Sequence, residues 1–219
     1  DYPTTVTNYG SLGAVANGSY YKWGTAWDRS PHGVPGALVG STDTATIFYE
    51  YAKGVGRILI PWNATINPNP AQPFTVECWN NCTGLDFGTL FHSMIAGDNA
   101  YNGSDRRGWS FRAQQSDLKF VAGSTTTANA KVVTAPGVVV TNTWQHFVAA
   151  YNGSNVTLFA DGVQVASQEV TNLVANYASQ QAIGGRGVKY DGWNGSGGID
   201  EMAIYTNVLS SDEILAHYQ

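Results

Sequence analysis

The chain has 219 residues, only 12% of them charged, and its formal net charge is −5. Nucleic acids and acidic membrane surfaces both require clustered Lys and Arg, so this balance argues against either as a partner. No apolar run is long enough to span a bilayer, and we therefore expect no membrane insertion. Because Gly, Asn, Ser and Thr are abundant, we expect one secreted, all-β domain over residues 1–219, located extracellularly or at the cell surface.

The amino-terminal stretch 1–40 crowds Tyr20, Tyr21, Trp23 and Trp27 into a short span. Buried aromatic rings dominate protein cores, so these side chains are expected to cover a sheet edge or plug one end of a sandwich. The alternative is a surface on which sugars stack, and Trp23 is therefore an outer candidate for ligand binding. A short strand is predicted over 57–61, and the Asn-Pro-Asn-Pro sequence of 67–70 predicts a loop.

A strand is predicted over 74–79, and it contains Cys78, one of two cysteines in the chain. The other cysteine, Cys82, lies four residues further on. In an extended chain this spacing holds the sulfurs too far apart for a disulfide unless the backbone turns between them. We expect a free, buried Cys78 in preference to a local disulfide, and two cysteines alone make a poor zinc site.

A strand over 91–95, which includes His92, is followed by a long loop over 96–108. Loops of this length in a compact sandwich are often functional. The alternative is a plain solvated connection. The side chains able to stack on a sugar ring or bond its hydroxyls include Asp98, Asn99, Tyr101, Asp105, Arg106 and Arg107. Strands are then predicted over 109–112 and 118–121, around a turn at 114–117.

Two successive hairpins are predicted from three short runs rich in Val, Phe, Leu and Tyr, at 145–151, 156–160 and 163–167. The Asp161-Gly162 pair favours a type I′ turn because both residues tolerate positive φ, so Ala160 should pair with Val163. This meander needs a second sheet to cover its apolar face, which predicts a sandwich.

A second long loop is predicted over 186–197, with Tyr190 and Trp193 as its aromatic residues. Trp193 either packs against the following strand or forms an exposed platform. At the carboxyl terminus, Ser210 and Glu213 have the spacing of a capping box, and Leu209 and Ile214 that of its hydrophobic staple. A short helix through residue 218 should follow.

Several segments share their order and motifs with one family. These are Trp144-x-His146, the Tyr-Asn-Gly turn at 151–153, Leu158-Phe159-x-Asp161-Gly162, the strands 73–79 and 198–205, Ile183-Gly184-Gly185-Arg186 and Val208-Leu209-Ser210. Together they resemble the laminin-G-like jelly-roll domains of the concanavalin A-like lectin/glucanase superfamily. The resemblance implies a two-sheet antiparallel jelly-roll sandwich with a short carboxyl-terminal helix.

The resemblance also implies details of the fold. The opening strands should lie at 36–40 and 45–51, with a turn at 42–43 between them. Trp109 and Trp144 occupy positions where the family keeps core tryptophans. We expect a single module excised from a larger protein and covalently linked to other domains in it.

Catalysis is not favoured by the residues. Sugar hydrolysis needs two carboxylates across a cleft, and the related glucanases supply them from alternating positions of one strand, a run that is missing here. Asp200 and Glu201 are adjacent, so a regular strand would place them on opposite faces. We therefore expect no enzyme activity from this domain, although it could be appended to an enzyme.

The preferred hypothesis is a noncatalytic carbohydrate-binding module that recognises a polysaccharide or other glycan. The alternative is an adhesion or spacer domain that binds protein or nothing. The predicted ligand-binding residues are Tyr101, Arg106, Arg107, Tyr190, Trp193, His92 and Trp23. The resemblance further implies a structural Ca²⁺ with Asp200 as a ligand, against the alternative that Asp200 accepts backbone N–H bonds at a sheet edge.

Overall fold

The structure is a computed structural model that describes residues 4–21, 32–48, 56–67, 72–84, 88–94, 106–125, 129–171, 173–185 and 197–219. The strands, in chain order, are β1 Thr5–Val6, β2 Gly18–Tyr20, β3 His32–Pro35, β4 Thr44–Phe48, β5 Ile58–Ile60, β6 Phe74–Cys82, β7 Gly88–Met94, β8 Gly108–Gln114, β9 Asp117–Ala122, β10 Lys131–Ala135, β11 Trp144–Tyr151, β12 Asn155–Ala160, β13 Val163–Glu169, β14 Gln181–Ile183 and β15 Gly197–Tyr205. A 3₁₀ turn spans Gly13–Ala16 and helix α1 spans Ser211–Tyr218.

The strands form two antiparallel sheets, as the jelly-roll prediction requires. Within the described residues, one sheet has eight strands in the order β1-β2-β5-β14-β7-β8-β9-β10, and the other has seven in the order β13-β12-β11-β6-β15-β4-β3. Sequence neighbours such as β6 and β7 lie in different sheets. The chain therefore crosses repeatedly between two layers, and the two inner faces enclose the core.

The core follows from the alternation of apolar residues along each strand. Phe74, Val76 and Cys78 of β6 are fully buried between the sheets, in the same cluster as Phe111 of β8. Trp109 stacks between Phe91 and Phe120, with ring centroids 5.1 and 5.7 Å apart. The expected packing role of Trp109 is confirmed.

The predicted meander is present with its predicted register. Ala160 pairs with Val163, and the turn between them has positive φ at both Asp161 (51°) and Gly162 (76°). The type I′ turn matches the right-handed twist of the strands it joins, which is why this short sequence signal is reliable. Cys78 and Cys82 are both buried and are not joined by a disulfide, as expected for Cys78.

The first opening strand was predicted in the wrong place. The strand that pairs with β4 is β3, and residues 36–40 form a bend and turn after it. Two glycines explain the error: Gly36 lies against the Asp200 carboxylate and Gly40 has a φ of +85°. The second opening strand begins at Thr44, and its predicted end at 49–51 lies outside the described residues.

Helix α1 begins with the predicted capping box. Ser210 accepts a hydrogen bond from the backbone N–H of Glu213, while the Glu213 carboxylate accepts from the backbone N–H of Ser210. Leu209 and Ile214 are buried together against Val148 and Phe159. The helix therefore covers part of the outer face of the seven-stranded sheet.

Candidate functional site

Several connections meet at one end of the eight-stranded sheet, which we call the loop end. Ile60 pairs with Gln181, and Met94 pairs with Gly108. In an antiparallel sheet, the ends of β5 and β7 and the starts of β14 and β8 therefore lie side by side. The loop end receives the described segments 61–67, 106–107 and 173–180.

A buried polar network fixes these segments. The Ser93 hydroxyl donates to the Asn67 side-chain oxygen and accepts from the side-chain amides of Asn176 and Gln181, each at 3.3 Å. Gln181 also donates to the carbonyl of Ile66 at 2.7 Å. Buried polar side chains are costly unless they are hydrogen-bonded, and a network of such bonds fixes the groups that it joins. The network therefore holds these segments in one arrangement.

Asn176 sets the turn that presents the next residue. Its side-chain oxygen accepts the backbone N–H groups of Ala178 and Ser179, and its amide donates to the Ser179 carbonyl at 2.8 Å. The Trp62 indole N–H donates to the Asn176 carbonyl at 3.1 Å. This arrangement leaves the side chains of Tyr177 and Trp62 54% and 39% exposed on a rigid support.

Arg107 completes the exposed surface. Its guanidinium carbon lies 4.4 Å from the centroid of the Tyr177 ring, and its Nη2 is 3.5 Å from the Tyr177 hydroxyl. We call Trp62, Arg107 and Tyr177 the ring platform. It combines apolar ring faces with planar hydrogen-bond donors, the two features that sugar binding requires.

The structure places some predicted ligand residues and not others. Arg107 is in the ring platform, and the neighbouring Arg106 is half-buried and bonds through its backbone N–H to the Ser124 carbonyl at 3.0 Å. His92 is fully buried within β7, so it exposes no surface to a ligand. The predicted residues outside the described part of the chain are Trp23, Tyr101, Tyr190 and Trp193.

The two long loops start from opposite ends of the sandwich. The first leaves β7 at Met94 and returns at Gly108, both at the loop end. The second follows β14, where Gly184 bonds to Leu90, and returns at Gly197, which pairs with Phe48. Along β7, the four-residue step from Leu90 to Met94 separates these anchors by roughly 13 Å. A single site built from both loops stays a prediction.

Trp62 and Tyr177 were missed from the sequence because they lie in the β5–β6 and β13–β14 connections, outside the two loops that were predicted to bind a ligand, 96–108 and 186–197. Tyr177 had one usable signal: it follows Asn176, and an Asn whose side chain bonds the backbone two residues on makes an exposed turn. The pairing of Trp62 with that turn joins residues 114 positions apart, and no local pattern could reveal it.

A cluster of carboxylates lies beside the β15–β4 pairing. One carboxylate oxygen from each of Asp43, Asp200 and Glu201 lies within 4.8 Å of the other two. The prediction that Asp200 and Glu201 point to opposite faces is wrong, because β15 has a bulge between Asp200 and Ala203 and Glu201 has a φ of +48°. The bulge breaks the alternation of a regular strand and brings the two side chains together.

This acidic cluster is electrostatically strained. A hydrogen bond with Asp43, together with burial and neighbouring carboxylates, raises the pKa of Glu201 to about 7. The same hydrogen bond lowers the pKa of Asp43. Asp200 accepts a hydrogen bond from the backbone N–H of Ala37 at 2.8 Å. This is the alternative to calcium binding that the sequence left open for Asp200.

A third polar group lies on the outer face of the seven-stranded sheet, and we call it the Glu77 hub. The Glu77 carboxylate accepts from the Tyr205 hydroxyl at 2.7 Å and lies 3.1 Å from His217 Nδ1 and 3.4 Å from His146 Nε2. Burial works to raise the pKa of Glu77, but these hydrogen bonds outweigh it and the pKa is lowered. A cavity of about 220 Å³ beside the hub is also lined by Trp79 and Glu201.

The fold and these sites can be set beside known proteins. Residues 58–215 match the laminin G-type family model of the concanavalin A-like lectin/glucanases superfamily. The chain belongs to this superfamily, which confirms the resemblance. A comparison with curated proteins found no match.

Similar solved structures confirm the fold at low identity. The binding domain of botulinum neurotoxin serotype G has a TM-score of 0.66 at 12% identity, over 98% of this chain and 50% of the toxin domain. The binding domain of Paraclostridial mosquitocidal protein 1 has a TM-score of 0.64 at 14% identity, over 98% of this chain and 51% of the other. This chain thus spans about half the length of those toxin domains.

A further match is smaller than the toxin domains. It is the CBM40 of a Ruminococcus gnavus IT-sialidase, bound to α2,3-sialyllactose, with a TM-score of 0.60 at 13% identity. The match covers 80% of this chain and 96% of that module.

The described residues also contain no helix long and apolar enough to cross a membrane.

Proposed function

We propose that the domain is a noncatalytic glycan-binding module and that the ring platform contacts the sugar. The observation that carries the proposal is the rigid, exposed arrangement of Trp62, Arg107 and Tyr177 at the loop end. Aromatic faces stack on the C–H side of a pyranose, and a guanidinium edge bonds its hydroxyls. Similar folds include a CBM40 bound to a sialylated sugar, which supports this choice.

The proposal includes the setting of the module. We propose an extracellular or cell-surface location and covalent linkage to other domains. The low charge and the abundance of Gly, Asn, Ser and Thr support the first, and the greater length of the toxin binding domains supports the second.

The test is affinity electrophoresis of the purified domain against a panel of soluble and insoluble polysaccharides. Retardation by a glycan should be lost in Trp62→Ala and Tyr177→Ala and kept in Tyr218→Ala. Tyr218 is a matched control because its exposed fraction, 38%, is similar to that of Trp62, 39%, but it lies on α1 over the other sheet. Circular dichroism should show each variant folded. No retardation by any glycan would favour an adhesion or spacer role.

We further propose that the acidic cluster holds a Ca²⁺ ion. Calcium prefers hard oxygen ligands, and three carboxylates within 4.8 Å of one another fit that preference. The raised pKa of Glu201 supports the same fit, since a bound cation would relieve the repulsion that now favours protonation. The ion would be structural, joining the β3–β4 connection to β15 through Asp43 and Asp200.

Calcium titration by calorimetry, with thermal melting before and after chelation, tests this second proposal. We expect saturable binding and a melting temperature that falls on chelation, and we expect both effects to be lost in Asp43→Asn. Asp117→Asn is the control, because Asp117 forms an ion pair with Lys119 at 3.2 Å away from the cluster. Wild-type melting that is insensitive to calcium would contradict the proposal.

A further inference from the structure

We infer that the cleft between the two sheets, beside the second half of β15, binds an extended peptide segment of another protein that carries a Lys or Arg. The peptide adds a strand to the free edge of β15, with apolar side chains in the cleft and its cationic side chain at the acidic cluster. The cleft shares no lining residue with the ring platform, so the inference does not depend on glycan binding.

The two halves of β15 have different neighbours. Residues 197–199 pair with β4 on one side and with β6 on the other. After the bulge, residues 203–205 pair with β6 alone among the described strands. The first half is buried, whereas residues 202–205 are half-buried and Thr206 is exposed. Because alternate residues of a strand direct their N–H and C=O groups to either side, the second half presents a free edge to the cleft.

The cleft beside this edge has a volume of about 730 Å³, which is within the size range of ligand sites. Side chains from both sheets line it, and several apolar ones are only half-buried, namely Val6, Ile60, Ile183, Met202 and Ile204. Side chains of a strand alternate between its two faces, so every second side chain of an added strand enters this space. The apolar walls therefore favour a peptide that is apolar at alternate positions.

The charge at one end of the free edge favours a cationic side chain. The cleft is also lined by Asp43, Asp200 and Glu201, whose carboxylate oxygens lie within 4.8 Å of one another. None of the described residues that line the cleft is Lys, Arg or His. Glu201 directly precedes the free edge, so an antiparallel peptide has its carboxyl-terminal end at this cluster. A Lys or Arg there relieves the repulsion between the carboxylates, and it is an alternative to calcium as the occupant.

Calorimetry with synthetic peptides, in the presence of a chelator, tests the inference. The peptides are acetylated and amidated hexapeptides of the sequence Thr-X-Thr-X-Thr-Lys, in which X is Val, Ile, Leu or Phe. We expect at least one to bind, and replacement of its Lys by norleucine should weaken binding about tenfold, the size of one charge-assisted bond. Saturating calcium should weaken binding of the Lys peptide and leave that of the norleucine peptide unchanged, because the ion and the ammonium compete.

Methylation of the peptide backbone tests whether the peptide adds a strand. In an added strand, one alternating set of amides faces β15 and the other set faces away from it. Methylation of the first set should weaken binding by about tenfold or more, and methylation of the second set should have little effect. Equal affinity of the two methylated peptides would mean that no strand is added, and it would overturn the inference.

Variants assign the binding to the cleft. Val6→Trp fills the cleft from β1 and should weaken binding about tenfold, whereas Val132→Trp, on the opposite edge strand β10 of the same sheet, should not. Asp43→Asn should remove the preference for Lys over norleucine. Circular dichroism should show each variant folded.

Two further outcomes would overturn the inference. One is that no peptide of the set binds. The other is that Val6→Trp and Val132→Trp bind the peptide equally. Binding of dodecylamine without binding of any peptide would assign the cleft to an amphiphilic cation instead. Glycan retardation is measured separately, so none of these results changes the outcome for the proposed function.

Discussion

The ring platform and the Glu77 hub both gather polar and aromatic side chains on a sheet, but they differ in what completes them. At the hub, Glu77 is 6% exposed, and its carboxylate is bonded by groups from β11, β15 and α1. At the platform, Trp62 and Tyr177 are 39% and 54% exposed, and the Trp62 indole N–H is fixed from behind by the Asn176 carbonyl. The hub is closed by the protein itself, whereas the platform has an open side for a ligand.

This difference shows that a carboxylate with a shifted pKa beside a cavity is not by itself evidence of a binding site. Stacking of Tyr218 on Trp79, with centroids 5.8 Å apart, and the contact of His217 with Glu77 dock α1 onto the sheet. The hub therefore uses its interactions to hold the helix. The platform's supports stabilise the loops and leave its faces available, which predicts opposite responses to mutation.

The largest effect should come from breaking the hub. Glu77→Ala removes the acceptor shared by Tyr205, His146 and His217, and removal of one partner from a buried pair costs about 3 kcal/mol of unfolding free energy. Chemical denaturation measures this cost, and glycan affinity should be unchanged. Glu169→Ala, at the end of edge strand β13, should change stability by less than about 0.5 kcal/mol. Equal stability of the two variants would contradict the hub's role.

The next largest effect should come from a change in the turn that supports the platform. Asn176→Ala leaves the backbone N–H groups of Ala178 and Ser179 without their acceptor, at a cost of about 2 kcal/mol. In contrast to Glu77→Ala, this change should also weaken glycan binding, because Tyr177 and Trp62 lose their fixed positions. Denaturation and affinity electrophoresis on the same sample separate the two effects. Normal glycan binding by a destabilised variant would show that the platform does not need this turn.

The two sites also show how far the sequence could predict the structure. The hairpin at Asp161-Gly162 and the capping box at Ser210 are local, so turn and cap chemistry predicted them correctly. The ring platform joins residues 62, 107 and 177, and the hub joins 77, 146, 205 and 217, all brought together by sheet topology. Local patterns do not encode such contacts. The bulge at Glu201 inverted the predicted side-chain direction, because one positive φ overrides the strand alternation.

A smaller effect is the dependence of the melting temperature on pH, to which Glu77 and its neighbour Glu201 contribute in opposite directions. Glu201 has a raised pKa of about 7, so it contributes stability that is fully present below the ordinary value of 4.5 and is lost as pH rises through about 7. Glu77 has a lowered pKa and does the reverse, contributing stability above 4.5 that is lost as pH falls below that value. Without calcium, the melting temperature should therefore decline between pH 5 and pH 8.

Glu201→Gln isolates this decline. The amide does not ionise, so the variant should lose the decline, which we expect to be roughly 1 kcal/mol once screening by solvent is allowed for. In the wild type, added calcium at pH 8 should restore the melting temperature. Glu213→Gln is the control, because Glu213 lies on α1 outside the acidic cluster and has a lowered pKa. A wild-type melting temperature that is flat across this range would contradict the strained cluster.

The smallest effect tests whether α1 closes the hub. Ser210→Ala removes the side-chain acceptor for the backbone N–H of Glu213 and should cost about 0.5 kcal/mol, while Ser211→Ala, one position later, leaves that cap bond intact. Hydrogen exchange should report faster opening of α1 in the first variant, with the amides of β8 and β14 at the loop end unaffected. Because His217 and Tyr218 reach the hub from this helix, its opening should also expose Trp79 and raise its fluorescence quenching by added iodide. Unchanged quenching together with faster exchange would mean that the sheet alone shields the hub, and that the helix is an accessory to it.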